Sequence, residues 1–209
     1  MKITIIGTGN MATGFATALA GTQHETTIVS RDPKKATELA AKMGKGIKGA
    51  DLSQAAQQAE VIILAVPYTS VAEIVKATGD LSGKVLVDIS NPITADYKDL
   101  TIGFTTSAAE ETQKLAPQAK VVKGFNTVFA SLLSPQARKG KTVQTFLAGD
   151  DAEAKKKVEE LAKALGFEAV DAGGLSNSRF LEPLGEMNIH FGYFLGWGTS
   201  IAPAWNKWA

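Results

Sequence analysis

The 209-residue chain contains no cysteine, which excludes disulfides and thiolate metal sites and suits a reducing compartment. Histidine is nearly absent too: His24 and His190 are the only two, so a multi-histidine metal centre is excluded and no metal is expected. Neither sign of charge is in excess, with 22 Lys and Arg against 21 Asp and Glu. Nothing therefore marks a nucleic-acid footprint or a polybasic membrane patch. No signal peptide fits, because Lys2 to Ile6 reads as a central strand. The uncharged stretch Asn188 to Trp205 is broken by glycines and a proline, and it is short for a membrane span. It predicts a packed C-terminal helix whose aromatics are buried or form a subunit contact, hence a homodimer. A cytoplasmic location and a small-molecule partner are the expectations these absences leave.

What is present is an alternation of strand and helix signals, the mark of an α/β parallel sheet. Strands are predicted at Ile3–Ile6, Thr26–Ser30, Val61–Val66, Lys84–Ile89, Val121–Phe125, Thr142–Ala148 and Glu168–Asp171, with a weak one at Gly46–Gly49. Helical spacing is predicted over Asn10–Ala20, from Pro33 to Met43, and over Leu52–Ala59, Val71–Thr78 and Thr106–Leu115. A further helix follows Asp151 and stops at Gly166. From Ser176 onward the chain reads as mostly helical. The expectation is a Rossmann-type, doubly wound, mostly parallel sheet over residues 1–175, with a C-terminal helical extension over 176–209 packed on it.

The most informative segment is Gly7-Thr8-Gly9-Asn10-Met11-Ala12, placed between the first strand and the first helix. This is the turn that sets a pyrophosphate on a helix N-terminus. Gly7 lets the chain leave the strand sharply, Gly9 leaves room for the phosphates, and Ala12 keeps the helix close to the sheet. An NAD-selective site ends its second strand with a carboxylate that bonds the ribose. Here that position is Ser30, followed by Arg31, with Lys34 and Lys35 one turn on. A hydroxyl, a guanidinium and ammoniums favour a 2′-phosphate, so NADP(H) is the expected dinucleotide.

The blocks GTGNMATGFATAL, SRDPKKA, VIILAVPY, VDISNP, VKGFNTV, AGDD with KKKVEELAKALGF, and DAGGLSNSRFLEPL resemble the NADPH:coenzyme F420 oxidoreductase family. They also resemble the nucleotide-binding domain of six-transmembrane ferric reductases. The likeness runs from Met1 to about Leu184, and DAGGLSNSR is its most specific block. The resemblance implies hydride exchange between NADP(H) and a flavin or deazaflavin. It implies Thr8, Asn10 and Met11 in the phosphate turn, and Ser30, Arg31 and Lys35 around the 2′-phosphate. Ala65, Val66 and Pro67 would line the path toward the nicotinamide, Asn91 and Pro92 would flank that ring, and Asn126 would stand at the acceptor pocket. Deazaflavin-reducing members often carry a histidine and prolines where this chain has Phe125-Asn126-Thr127-Val128.

Hydride transfer between two flat rings needs positioning rather than a strong acid, and the sequence offers no obvious acid. Asn91 and Asn126 read as amide donors and acceptors for a ring or carboxamide, although Asn91 before Pro92 also suits a turn. Tyr68 reads as a stacking group or a loop tyrosine covering the core. His190 reads as buried or interfacial, His24 as structural, and Asp150 and Asp151 as helix caps. A non-catalytic NADP sensor is the alternative of another class. An imine reductase of the pyrroline-carboxylate-reductase type ranks lower, since about 35 residues follow the dinucleotide half.

Overall fold

The computed structural model describes residues 1–208. Its strands are β1 Lys2–Ile6, β2 Glu25–Val29, β3 Lys48–Gly49, β4 Val61–Leu64, β5 Val85–Asp88, β6 Lys120–Lys123, β7 Gln144–Gly149 and β8 Glu168–Asp171. The helices are α1 Asn10–Leu19, α2 Pro33–Met43, α3 Leu52–Gln58, α4 Tyr68–Thr78, α5 Ala108–Leu115, α6 Ala152–Ala164 and α7 Ser178–Ile189. The sheet order is β3-β2-β1-β4-β5-β6-β7-β8. All neighbours are parallel except β6 and β7, which pair antiparallel through Val122–Gly149 and Lys123–Ala148. This is the doubly wound Rossmann-type sheet, in which the order of successive strands reverses between the neighbouring parallel strands β1 and β4.

Alternation along β1 sets the two layers. Ile3 and Ile5 face a core built with α1, α2 and α6, where Phe15, Ala16, Ala36, Val158 and Leu161 are buried. Ile6 faces the other core, with Ala55 and Ala56 of α3, Val71 and Ile74 of α4 and Ala109 of α5. Strands buried on both faces need continuous apolar runs, and every residue of β4 (VIIL) is buried. Caps set the helix starts: Asp32, Asp51, Ser107 and Asp151 each accept a backbone N–H from the first turn.

Four expectations are corrected. β4 ends at Leu64 rather than Val66, because pairing with β5 ends at Leu64–Asp88. α4 begins at Tyr68 rather than Val71: Pro67 occupies the cap position, where its lack of an N–H costs nothing. Tyr68 is therefore a helix residue. Only Asp151 caps α6; Asp150 instead accepts the Leu175 amide at 2.8 Å and ties down the loop that precedes α7.

The C-terminal segment departs furthest. Helical structure continues past α7 through one wide turn, His190–Phe194, and the chain beyond is irregular. Its aromatics are not buried: Tyr193, Trp197, Trp205 and Trp208 are all more than half exposed. The three glycines of this stretch include Gly196 and Gly198 at positive φ, which is incompatible with a regular helix. The tail returns to the sheet at β7, where the Trp205 ring meets Phe146 edge-on at 6.0 Å and its amide donates to Gln144 at 2.7 Å.

Candidate functional site

The carboxyl ends of β1, β2, β4, β5 and β6 open on one edge of the sheet, where open α/β sheets bind ligands. At β1, Gly7 has φ +133° and a Cβ there would collide with the Ala65 carbonyl. The turn thus locks the ends of β1 and β4 together. A Cβ on Gly9 would meet nothing within 4 Å, so the space above the N-terminus of α1 is open. That N-terminus has no side-chain cap and no acidic residue in its first turn, which leaves its amides and their partial positive charge directed into the cleft. Thr8 and Met11 are half-buried and Asn10 is exposed on this turn.

At β2, the Ser30 hydroxyl donates to the Asp32 carbonyl at 2.6 Å. Arg31 bridges to Glu73 of α4 at 3.0 Å, with both side chains more than half exposed. Lys35 lies exposed on the first turns of α2. Asp32 caps α2 through the Lys34 amide at 3.1 Å, rather than facing the cleft.

Two cavities lie along the strand ends. One, of about 450 Å³, runs from Val66, Pro67 and Tyr68 to Ser90, Asn91 and Thr101. The other, of about 240 Å³, runs from Asn10 and Met11 to Asn126, Phe129 and Gly185. Asn91 and Tyr97 line both. Burial raises the Tyr68 phenol above its usual range, with Glu111 adding to the effect. Pro92 is buried beneath the cleft, and its carbonyl accepts from the Thr101 amide and hydroxyl at 2.6 and 2.9 Å.

The end of β6 is strained into position. Phe125 has φ +58°, a region that costs a non-glycine residue about 1–2 kcal/mol. Its amide donates to Thr145 Oγ1 at 2.9 Å, and its ring packs edge-on against Phe15 and Phe167. The reversal turns Asn126 toward Asn91. Asn126 Nδ2 donates to Asn91 Oδ1 at 2.9 Å and to the Leu181 carbonyl at 2.7 Å, while Asn91 Nδ2 donates to the Asn126 carbonyl at 2.9 Å.

Helix α7 forms the back wall. Leu181 bonds Asn126, Gly185 lies so close to the Asn91 amide that a Cβ would sit 2.6 Å from it, and Asn188 donates to the Thr127 carbonyl at 3.1 Å. The loop that launches this helix is held by Asn177, which donates to the Ala172 carbonyl at 2.6 Å. Arg179 forms a bidentate pair with Glu110 of α5, which holds that carboxyl below its usual range.

Sequence reasoning missed the charged cluster under this wall. Lys123, Asp88 and Glu182 are at most 1% exposed. The Lys123 ammonium donates to the Ser90 carbonyl at 2.7 Å and lies 2.8 Å from Glu182 and 3.4 Å from Asp88. Burial pushes the Glu182 carboxyl up, opposed by Lys123. The signals available were a lysine directly after the two valines of β6 (KVVK) and a glutamate between Leu181 and Pro183 of α7. His24 lies on the opposite edge, 3.3 Å from the N-terminal ammonium, and burial followed by that charge lowers its pKa. His190 is partly exposed, 3.4 Å from Glu186. A further cavity, of about 680 Å³, lies apart from the strand ends, between Arg138, Gln144 and the tail around Trp197 and Ala202.

Among the described residues no helix is long and apolar enough to cross a membrane. Residues 2–92 match the family model described as NADP oxidoreductase, coenzyme F420-dependent. An F420-dependent NADP reductase of Methanothermobacter marburgensis is 33% identical over 209 residues, spanning 91% of this chain and 92% of the relative. Metalloreductase STEAP3 of Rattus norvegicus is also 33% identical, over 88% of this chain, but the chain spans only 36% of that longer protein. A crystal structure from Arthrobacter sp. FB24, of a protein proposed to be an F420-dependent NADP reductase, superposes with a TM-score of 0.83 at 35% identity. The superposition covers 95% of this chain and 96% of that one.

Proposed function

The chain belongs to the coenzyme F420-dependent NADP oxidoreductase family, and from that premise we propose that it moves hydride between NADPH and a flavin- or deazaflavin-like ring. It is an NADP-dependent oxidoreductase; the acceptor class is the proposed part. The observation that carries the reading is the two-chambered cleft, whose cavities meet at Asn91 and Tyr97. Two flat molecules in contact need such adjoining chambers, and little else from the protein.

The residues present suit the dinucleotide. Gly7, Thr8, Gly9, Asn10 and Met11 would take the pyrophosphate on the uncapped end of α1. Ser30, Arg31 and Lys35 would hold the 2′-phosphate, which would compete with Glu73 for Arg31. Ala65, Val66 and Pro67 would line the passage to the nicotinamide, with Asn91 flanking that ring and Pro92 holding Asn91 from below. The bound nicotinamide supplies the hydride. Asn126, fixed by three hydrogen bonds through its side chain and carbonyl, would form the wall against which the acceptor ring is set. Tyr97, half exposed at φ +60°, would cover the junction and exclude water. Net reduction of the acceptor also takes up one proton, which the open cleft can draw from solvent.

The test is oxidation of NADPH and of NADH by the purified protein with flavins, a deazaflavin, quinones, imines and a ferric chelate. Turnover with NADPH and a flavin or deazaflavin is the expected result. Tight NADPH binding without turnover on any acceptor would favour the non-catalytic sensor instead.

A further inference from the structure

We propose that the cavity between Arg138 and the C-terminal tail is a second binding site, separate from the dinucleotide cleft, for a small aromatic anion. Its volume, about 680 Å³, is that of a small-molecule site. Arg138, Lys139 and Lys141 all line it, and no aspartate or glutamate does. Among the described residues none of these three cations forms a salt bridge. The lysines are exposed, but Arg138 is only 6% exposed. A buried guanidinium stays charged and is ordinarily met by a carboxylate. Here it donates instead to the Leu165 and Gly166 carbonyls at 2.6 and 2.7 Å, and its face covers the Phe167 ring at 4.4 Å. Those carbonyls, at the C-terminal end of α6, support the charge without neutralising it. They take two of the five N–H donors; the others have no acceptor among the described residues.

The remaining walls are mainly apolar. Leu184, Met187 and Phe191 come from α7 and the wide turn after it, and Ile201 and Pro203 from the tail. Phe191 and Trp197, which both line the cavity, stack at 4.6 Å with their rings 16° apart. A flat ligand extends such a stack. The tail wall is pinned at both ends. Ser131 Oγ donates to the Thr199 carbonyl at 2.6 Å, and Gln144 exchanges hydrogen bonds of 2.7 and 3.1 Å with the Trp205 backbone. Glu168, bonded by Gln144 at 3.1 Å, does not line the cavity. Cations without acids beside an aromatic stack select a carboxylate, sulfonate or phosphate carried on a flat apolar body. Asn188 lines this cavity and also the smaller one at the strand ends, so the occupant lies along the same stretch of α7 that backs the cleft. The site stands whatever acceptor the cleft takes.

The test uses two fluorescent probes on the protein saturated with NADP+: anilinonaphthalene sulfonate, a flat anion, and phenylnaphthylamine, its uncharged counterpart. The sulfonate is expected to bind once per chain, with the same Kd whether or not NADP+ is present, and at least about tenfold more tightly than the uncharged probe. Arg138→Gln should weaken the sulfonate about tenfold and change the uncharged probe by less than about threefold. If Arg138→Gln does not fold, the double variant Lys139→Gln, Lys141→Gln decides, with an expected loss of about threefold to tenfold for the sulfonate alone. Trp197→Ala should weaken both probes. Displacement of the sulfonate by NADP+ would return the binding to the dinucleotide cleft and overturn the inference. Equal affinity for both probes, or a sulfonate Kd indifferent to the cationic variants, would overturn it as well.

Discussion

Asn91 and Asn126 lie 35 residues apart in the chain and hold each other by two hydrogen bonds of 2.9 Å, one through each side-chain amide. One follows β5 and the other follows β6, so the pair bolts together two loops that would otherwise set the cleft width independently. Because Asn126 Nδ2 serves two carbonyl-type acceptors, the orientation of its amide is determined by its partners.

Removing this amide should separate catalysis from cofactor binding. Asn126→Ala is expected to lower kcat/KM for the acceptor by about tenfold or more, while the NADPH Kd changes by less than about threefold. Steady-state kinetics beside a fluorescence titration of NADPH would check it. Parallel losses in both would place Asn126 against the dinucleotide rather than the acceptor.

The end of β2 should decide between the two dinucleotides. Arg31→Ala is expected to weaken NADPH about tenfold to a hundredfold and to leave NADH within about twofold. The Arg31–Glu73 pair is exposed, hence weak, so Glu73→Gln should free Arg31 and tighten NADPH about twofold to threefold. Equal effects on both nucleotides would remove Arg31 from the 2′-phosphate.

Two glycines predict opposite outcomes. Gly9 has φ below zero, and its missing Cβ faces open space. Gly9→Ala should keep the wild-type melting temperature within about 1 °C yet weaken NADPH about tenfold, because the methyl occupies the phosphate approach. A Cβ on Gly185 would sit 2.6 Å from the Asn91 amide. Gly185→Ala should cost about 1–3 kcal/mol and lower turnover with it. Thermal melts with and without NADPH distinguish the two.

Glu186 predicts a pH dependence. Its carboxyl oxygens are buried without a hydrogen-bond partner, and burial raises its pKa, opposed by His190 and reinforced by Asp99 and Asp96. A carboxyl raised in the folded state binds its proton more tightly there than when unfolded. The cost of charging it is therefore present above the folded pKa and disappears as pH falls through that value. Glu186→Gln should raise the melting temperature by about 2–4 °C at pH 8, with the gain fading toward the ordinary carboxylate range. A gain that grows as pH falls would contradict this account.

Much of the fold was legible because it is written in local signals. The alternation of β1, the apolar run of β4 and the aspartate caps of α2 and α6 each depend on neighbours within one turn or one strand. Element ends were less legible: Pro67 looked like a strand terminator, and only its place above the end of β4 made it the start of α4. The irregular path of the tail was less legible, because it follows from glycines at positive φ and from contacts with distant residues, Phe129 and Ser131 as well as Phe146 and Gln144 of β7.

By itself the sequence determined the strand–helix alternation, the glycine turn that shapes a phosphate seat, and the absence of a carboxylate at the end of β2. Each is a property of a few consecutive residues and their backbone preferences. Tertiary structure alone decided that Asn91 meets Asn126, that α7 closes the back of the cleft, and that Lys123 is buried between Asp88 and Glu182. Those contacts join residues tens of positions apart. A charge in an apolar strand also becomes tolerable only once folding brings its partners to it.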